Sequence, residues 1–264
     1  MRGEWLGYPR GSFQAICAAL RADIELRGGT VWLDRAVLSV TTEPGRHRLR
    51  YGAPGGYRRA FDPHAAAAGE ATADAVLFTT PTDTTRALTA WPAEFDRRLG
   101  SWEYRAAVVL LLELTRRFTA TYWTNIADAS IPFLGVIEHT NLVPAERYPA
   151  HYVWVSHYVA RDDPIRTLGA DALLARSLPG LRAMVPDLSL ADVRGRWVFA
   201  EDAAQPIPRL GNRHRILPFR TPVPGLFVAN TTQIYPEDRG TNYSVRLGRE
   251  VASSIADSIA GWGL

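Results

Sequence analysis

The sequence contains no lysine and only one cysteine. All 30 basic residues are therefore arginine, and they stand against 27 acidic residues, which gives a net charge of +3. The single thiol excludes a disulfide within the chain and a metal site built from several cysteines, and it is typical of a protein from a reducing cytoplasm. The arginines are scattered along the chain rather than gathered in one run, which argues against a nucleic-acid-binding protein.

Long apolar runs are also missing. The longest one, Ala106 to Leu112, is far shorter than the ~20 residues that a membrane-spanning helix requires. The first ten residues contain no apolar segment typical of a signal peptide. Because 47% of the residues are apolar, the chain can still bury a sizeable core. We therefore expect a soluble, cytoplasmic protein with one large domain or two smaller ones.

Recognisable catalytic and metal-binding motifs are absent as well. The spacing of His139, His151 and His157 fits no metal motif, so we predict no metal, and the catalytic residues stay unassigned. The neighbours Glu138 and His139 leave two interpretations open. They could form an acid/base group beside a substrate, or they could be a hydrogen-bonded structural pair.

Both ends of the chain alternate between helix and strand patterns. Apolar residues recur every three or four positions from Ser12, a candidate N-cap, to the Gly28-Gly29 helix stop. A second helix is predicted from about Asn242 to Ile259, with Gly248 and Ala252 allowing close packing. The short elements predicted between the helices are strands at Thr30–Leu33, Ala36–Val40, Asp74–Thr79 and Gly225–Ala229, and a polar hairpin at Glu43–Arg59.

The middle of the chain differs from both ends in composition and in pattern. The run Tyr104–Thr115 suits a helix or a strand equally well. Leu168–Met184 is predicted as a helix interrupted by Pro179-Gly180, and Val193–Phe199 as a strand. Aromatic residues are frequent here, and some could wall an apolar substrate pocket. We predict Tyr122, Trp123, Glu138, His139 and Trp154 as the pocket residues.

The order of these elements resembles the flavin-dependent oxidoreductases of the amine oxidase and protoporphyrinogen oxidase type. Gly7–Leu20, Arg27–Val40 and Ala73–Pro81 resemble the family's second cofactor-binding segment, in which a valine, here Val37, lies on the adenine side of FAD. Pro224–Ala252 resembles the C-terminal cofactor segment, in which a helix N-terminus points at the flavin. The cofactor-binding residues that the resemblance implies are Val37, Asn230, Thr231, Arg239, Gly240, Thr241, Asn242, Tyr243 and Val245.

Physical chemistry explains why the C-terminal segment could bind a flavin. A helix N-terminus presents unpaired N–H donors and a positive dipole end, which suit the negative charge of a reduced flavin. Gly240 would allow the backbone to approach closely, and Thr241 or Asn242 could cap the helix. Arg239 could pair with a phosphate or with a substrate anion.

The G-x-G-x-x-G βαβ unit that opens the proteins of this family is not found in the sequence. The resemblance therefore implies a mixed fold: an α/β, partial Rossmann-like FAD-binding domain without its N-terminal βαβ unit, plus an aromatic-rich α+β insertion that binds substrate. The predicted parts are residues 1–84 and 221–264 for FAD, and residues 85–220 for the substrate. Another chain or segment would supply the G-x-G-x-x-G unit.

The function that the resemblance implies is FAD-dependent oxidation, with hydride passing from a C–H of an amine, a porphyrinogen-like compound or a polyene to flavin N5. Two alternatives stay open. The chain also resembles UDP-galactopyranose mutase, a flavin isomerase of similar architecture. It could also be a non-catalytic, truncated partner of another chain.

Overall fold

The computed structural model describes residues 7–55, 62 and 64–261. The helices within this part of the chain are α1 (Ser12–Leu26), α2 (Thr82–Leu88), α3 (Ala93–Gly100), α4 (Ala170–Met184) and α5 (Thr241–Ala260). The strands are β1 (Ala36–Glu43), β2 (Arg46–Gly52), β3 (Ala67–Ala73), β4 (Val76–Phe78), β5 (Tyr104–Leu114), β6 (Trp123–Asn125), β7 (Gly135–Glu138), β8 (His151–Val159), β9 (Val193–Pro206) and β10 (Leu226–Val228).

The chain folds into two compact units. The first contains the described residues up to Leu33 together with Arg105–Ala204, and the second contains Asp34–Tyr104 and the residues from Gln205 onward. The predicted parts 1–84, 85–220 and 221–264 divide the chain differently. Which part serves the cofactor and which serves the substrate stays a prediction.

The first unit is built on a sheet with the strand order β6-β7-β8-β5-β9. Burial alternates along β5, as expected for a strand with one face in the core. Its buried face, with Leu110 and Leu112, packs with Val153 of β8 against Leu173 and Leu181 of α4. The helix α1 belongs to the same unit, yet none of its residues is buried.

The second unit contains the antiparallel sheet β1-β2-β3 and the parallel pair β4 and β10. Phe78 of β4 packs with Leu88 of α2 and Leu99 of α3 on one side of the pair. Leu77, the preceding residue, packs with Leu247 and Val251 of α5 on the other side. The parallel pair therefore lies between helices, which is the layer arrangement of an α/β fold.

Most of the predicted elements are confirmed, with different bounds. The ambiguous run from Tyr104 is a strand, and the predicted buried strand at Asp74–Thr79 is β4, parallel to β10. The predicted hairpin Glu43–Arg59 contains β2 and the turn before it, but the partner strand β1 precedes this segment and corresponds to the predicted strand Ala36–Val40. Its last residues, 56–59, lie outside the described residues. The predicted strand Thr30–Leu33 is wrong, because this segment has no regular secondary structure and Leu33 is exposed.

Candidate functional site

One face of the sheet in the first unit forms the floor of a cavity of about 760 Å³. Successive side chains of a strand point to opposite faces, so Leu111 of β5 and Trp154 of β8, which lie opposite each other, share the face that α4 does not cover. Ile137 of β7 also pairs with Trp154, and Tyr152 lies two residues before it. The other lining residues are Gly7, Tyr8, Ser12, Phe13, Tyr122, His139, Leu142 and Tyr148.

Aromatic rings in this cavity contact one another edge to face. The ring centroids of Tyr8 and His139 are 4.8 Å apart, those of His139 and Tyr148 are 5.2 Å apart, and those of Tyr148 and Tyr152 are 5.5 Å apart. This geometry is the favourable one for aromatic pairs. The four rings form a continuous chain, which we call the aromatic wall.

The polar groups of the aromatic wall pair with one another. His139 Nε2 lies 2.8 Å from the Tyr148 hydroxyl oxygen. Burial lowers the pKa of His139, because a charged imidazolium is poorly solvated there. Burial also raises the pKa of the Tyr8 hydroxyl, and the neighbouring Tyr148 adds to this effect. Both shifts favour the uncharged forms of the His139 ring and the Tyr8 hydroxyl at neutral pH.

The structure brings three of the five predicted pocket residues together in this cavity. These are Tyr122, His139 and Trp154. Trp123 does not line the cavity. Its side chain is 53% exposed, and its indole N–H donates to Asn125 Oδ1 at 2.8 Å. A role of these five residues in substrate binding stays a prediction.

Glu138 is fully buried and serves as an acceptor for the backbone. Its carboxylate accepts hydrogen bonds from the N–H groups of Phe118 and Thr119, the first at 2.9 Å. His151 Nδ1 lies 4.0 Å away. This geometry supports the structural interpretation of Glu138 and does not pair its carboxylate with His139.

The sequence patterns did not assign the residues at and just before the start of α1 to a substrate pocket. Tyr8 and Phe13 line the cavity and contact each other with ring centroids 5.2 Å apart. They belong to residues 1–84, which the family resemblance places in the cofactor domain. The alternation of Tyr152 and Trp154 along β8 is a signal in the sequence that would have placed these two rings on one face.

A smaller, polar cavity of about 240 Å³ lies in the second unit and contains two of the predicted cofactor residues. Thr231 follows β10, and Arg239 precedes α5. The Arg239 guanidinium lies 3.6 Å from the Asp238 carboxylate. Glu237 lines the same cavity and pairs with Arg246 at 3.0 Å.

The start of α5 differs from the expected one. Gly240 is the N-cap, and no side chain caps the helix. The expectation that Thr241 or Asn242 caps it is wrong, because these residues are the first two of the helix itself. The φ of Gly240 is −161°, which any residue adopts. Its backbone conformation therefore does not require glycine.

The other predicted cofactor residues have several different surroundings. Asn230 caps the one-turn helix Thr231–Gln233, and its Nδ2 donates to the Thr80 carbonyl at 3.0 Å, which links the ends of β4 and β10. Val37 packs beside Val40 and Phe78, away from the polar cavity. Tyr243 packs against the core under α5, while Val245 is 47% exposed.

Neither a metal-binding cluster nor a membrane-spanning helix is found among the described residues. Among them, no group of three or more histidine, cysteine or acidic side chains could hold a metal ion. No helix in the described part of the chain is both long and apolar enough to cross a lipid bilayer.

Comparisons with known structures show the fold. An oxidoreductase from Methanosarcina mazei is 18% identical, with a TM-score of 0.65 over 94% of this chain and 55% of that one. A candidate protoporphyrinogen oxidase from Exiguobacterium sp. 255-15 is 13% identical, with a TM-score of 0.67 over 93% and 51%. Reduced UDP-galactopyranose mutase is 13% identical, with a TM-score of 0.56 over 79% and 42%. No curated protein matches the sequence.

The chain thus spans about half the length of the solved structures it matches. The sequence profile described as flavin-containing amine oxidoreductase matches residues 1–255, which is nearly the whole chain. A family so named implies FAD as the cofactor. The chain belongs to the flavin-containing amine oxidoreductase family.

Proposed function

We propose that the chain is part of an FAD-dependent oxidoreductase that removes a hydride from a substrate C–H. The observation that carries this proposal is the start of α5 beside Arg239. The helix N-terminus has no side-chain cap, and Arg239 and Thr231 line one polar cavity near it. Backbone N–H donors, a helix dipole and a guanidinium are the groups that bind the anionic parts of a dinucleotide cofactor, so the residues present fit FAD.

FAD, when bound, supplies the redox chemistry by accepting the hydride at N5. The residues of the chain bind and orient. Arg239 and the first N–H groups of α5 would hold negative charge, and Asn230 fixes the loop after β10 through its bond to Thr80. Val37, Gly240, Thr241, Asn242, Tyr243 and Val245 complete the proposed cofactor set.

The aromatic cavity of the first unit is the proposed substrate site. Its floor and its aromatic wall are apolar, so they bind an apolar substrate and exclude water from the reacting bond. Tyr122, His139 and Trp154 would contact the substrate. Glu138 would act indirectly, since its bonds to the backbone of Phe118 and Thr119 hold the segment that leads to Tyr122.

The proposal also assigns the cofactor and the substrate to different parts of the chain, and it requires an additional βαβ unit. Residues 34–84 and 221–264 form a partial Rossmann-like cofactor part, and residues 85–220 form the aromatic-rich substrate part, to which the segment with Tyr8 and Phe13 contributes cavity lining. A G-x-G-x-x-G βαβ unit, supplied by another segment or another chain, cradles the pyrophosphate. The length of the matched structures, about twice that of this chain, supports such a unit.

A flavin isomerase is the second candidate, because UDP-galactopyranose mutase is among the structural neighbours. That function would require reduced flavin and would show no net oxidation. A third candidate is a non-catalytic partner chain. Failure to bind flavin in the presence of every candidate βαβ unit would identify this case.

Gly240→Asp tests the cofactor site directly. An aspartate N-cap accepts from the N–H groups at the start of α5. Compared with glycine it should stabilise the protein by only roughly a few tenths of a kcal/mol, and the Asn242 side chain must shift to admit the new Cβ. The same carboxylate would stand where the anionic cofactor binds, so flavin affinity should fall. Gly240→Ser is the control, because it caps the helix without adding charge. Urea unfolding and flavin titration, with the βαβ unit supplied in trans, measure the two effects.

Arg239→Ala gives an independent test. Loss of a charge-assisted contact should weaken flavin binding by about 1.5–3 kcal/mol. Arg249→Ala, at an exposed residue of α5 about two turns after its start, should leave the affinity unchanged. Equal flavin affinity in the wild type, Gly240→Asp and Arg239→Ala would contradict the proposed cofactor site.

A further inference from the structure

The lining of the aromatic cavity contains no acidic residue and no arginine among the residues that the structure describes. His139 and the tyrosines Tyr8, Tyr122, Tyr148 and Tyr152 are its ionisable groups. Burial lowers the pKa of His139 and raises the pKa of Tyr8, Tyr122 and Tyr152. A charged ligand would therefore meet no counter-ion among the lining residues that the structure describes.

The nearest carboxylates are already engaged. Glu138 is buried behind β7 and accepts from the backbone of Phe118 and Thr119. Glu113 lies two residues beyond Leu111 on β5, and burial together with the Glu113 carboxylate raises the pKa of the Tyr152 hydroxyl. Using either carboxylate to bind an ammonium group would disturb these interactions.

An aromatic ring can replace a counter-ion for a cationic ligand, but the arrangement of the rings in the wall makes this less favourable. A cation binds to the face of an aromatic ring. In the aromatic wall, Tyr8, His139, Tyr148 and Tyr152 meet edge to face, so each of the three contacts covers one face of one ring. Transfer of a charge out of water without good pairing is strongly unfavourable.

Neutral polar groups are few in the lining: the His139–Tyr148 pair in the wall, and the Tyr122 and Ser12 hydroxyls. The His139 ring and the Tyr148 hydroxyl, 2.8 Å apart, can each exchange a hydrogen bond with a neutral hydroxyl or carbonyl group. The cavity volume of about 760 Å³ is large enough for a ligand of several fused or conjugated units.

We infer that the cavity takes an uncharged substrate with a hydrocarbon skeleton and few neutral hydrogen-bonding groups. It excludes ammonium, carboxylate and phosphate groups. This inference rests on the proposed function, in which the cavity is the substrate site. Within that function it selects a neutral polyene or polycyclic compound over a protonated amine, an anionic tetrapyrrole or a nucleotide sugar.

Three probes of the same shape test the inference on the full chain. They are 2-naphthalenemethanol, 2-naphthylmethylamine and 2-naphthoate, which are neutral, cationic and anionic at neutral pH. Titration calorimetry should show that the alcohol binds and that both ions bind at least about tenfold more weakly, a difference of about 1.4 kcal/mol. Trp154→Ala should weaken binding of the alcohol, because this side chain forms part of the cavity floor.

A substitution in the lining separates charge from shape. Leu142→Glu adds a carboxylate to the cavity and should favour the amine over the alcohol. Leu142→Gln has nearly the same shape without the charge and should keep the preference of the wild type. Circular dichroism checks that both variants are folded.

Three outcomes would overturn the inference. The amine could bind the wild type as tightly as the alcohol, none of the three probes could bind the folded chain, or Leu142→Gln could change the preference as much as Leu142→Glu. The titrations need no flavin, so they are independent of the cofactor test. Normal probe binding without flavin binding would reject the proposed function and leave the charge selectivity intact.

Discussion

Glu138 is the buried side chain whose removal has the clearest expected effect. We predict that Glu138→Gln lowers the free energy of unfolding by about 1.5–3 kcal/mol, the range for hydrogen bonds to a charged group, because an amide replaces one acceptor oxygen with a donor. Urea unfolding measures the change. The exposed Glu146 provides the control, and Glu146→Gln should change stability little. Similar values for both variants would mean that the bonds to Phe118 and Thr119 contribute little.

His157 should make the protein sensitive to mild acid. It is buried, its Nδ1 lies 3.1 Å from the Val108 carbonyl oxygen, and its Nε2 has no partner among the described residues. Burial lowers its pKa below the ordinary 6.5. Between the lowered pKa of the folded state and the ordinary pKa of the unfolded chain, the unfolded chain binds more protons than the folded one. Stability therefore falls as the pH falls through this window.

The measurement for His157 is urea unfolding on both sides of pH 6.5. We predict a smaller loss of stability on acidification for His157→Gln than for the wild type. Some dependence should remain, because burial also lowers the pKa of His47 and His139. Equal slopes for the two proteins would show that His157 does not titrate differently in the folded state.

At the scale of single residues, the sequence could identify residues able to do acid/base chemistry, but not the direction in which their side chains point. Glu138 and His139 are neighbours in the chain, and the sequence left open whether they act together. In the structure the Glu138 side chain is enclosed by the backbone at Phe118, while His139 lines the cavity. Only the pairing of β7 with β8 decides which side chain points to which face.

Two helical glycines provide a matched test at the scale of the element. A Cβ at Gly248 of α5 would meet no atom within 4 Å, whereas a Cβ at Gly180 of α4 would lie 2.8 Å from Phe133 Cε1. We predict that Gly248→Ala stabilises the protein by about 0.5–1 kcal/mol through helix propensity. Gly180→Ala should destabilise it by about 1–3 kcal/mol through overpacking.

Thermal unfolding followed by circular dichroism compares the two glycine variants. Each serves as the control of the other, because both replace glycine by alanine inside a helix. Stabilisation by both substitutions would show that Phe133 and Ile131 move away from the added methyl group without loss. The expectation that Gly248 provides close packing is not supported within the described residues.

Helices and strands were predictable where the pattern was local. The apolar spacing of α1 and α5 required no knowledge of the fold. The run from Tyr104 was ambiguous, because Ala, Val and Leu suit both states, and pairing with β8 made it a strand. The segment Thr30–Leu33 has the composition of a strand but no regular secondary structure, so propensity alone gave the wrong answer.

At the scale of the whole molecule, the exposed apolar residues of α1 predict self-association. Leu20 and Ile24 are 57% and 44% exposed, and no residue of this helix is buried. Contiguous exposed apolar surface favours association. We expect light scattering to show oligomers for the chain alone and fewer oligomers for the double variant Leu20→Glu, Ile24→Glu.

The control for this association is Leu210, which is fully exposed and lies far along the chain from α1. Leu210→Glu adds the same charge at an isolated apolar residue and should leave the oligomers in place. A monodisperse monomer for the wild type, or equal effects at Leu210 and at α1, would contradict a role of α1 in association.

The division into two units was only partly visible in the sequence. The order of helices, strands and aromatic segments indicated the family, because order survives large sequence change. The contribution of Tyr8 and Phe13 to the aromatic cavity could not be predicted, since they lie about a hundred residues before the strands that they join.

The single cysteine, Cys17, is exposed on α1. A thiol-directed fluorophore would therefore attach at one known place, with no need to remove other cysteines from the chain. Its anisotropy and its accessibility to a soluble quencher would report when another surface covers this helix. The protein thus carries a built-in labelling position for measuring, in real time, how a separately added βαβ unit assembles with it.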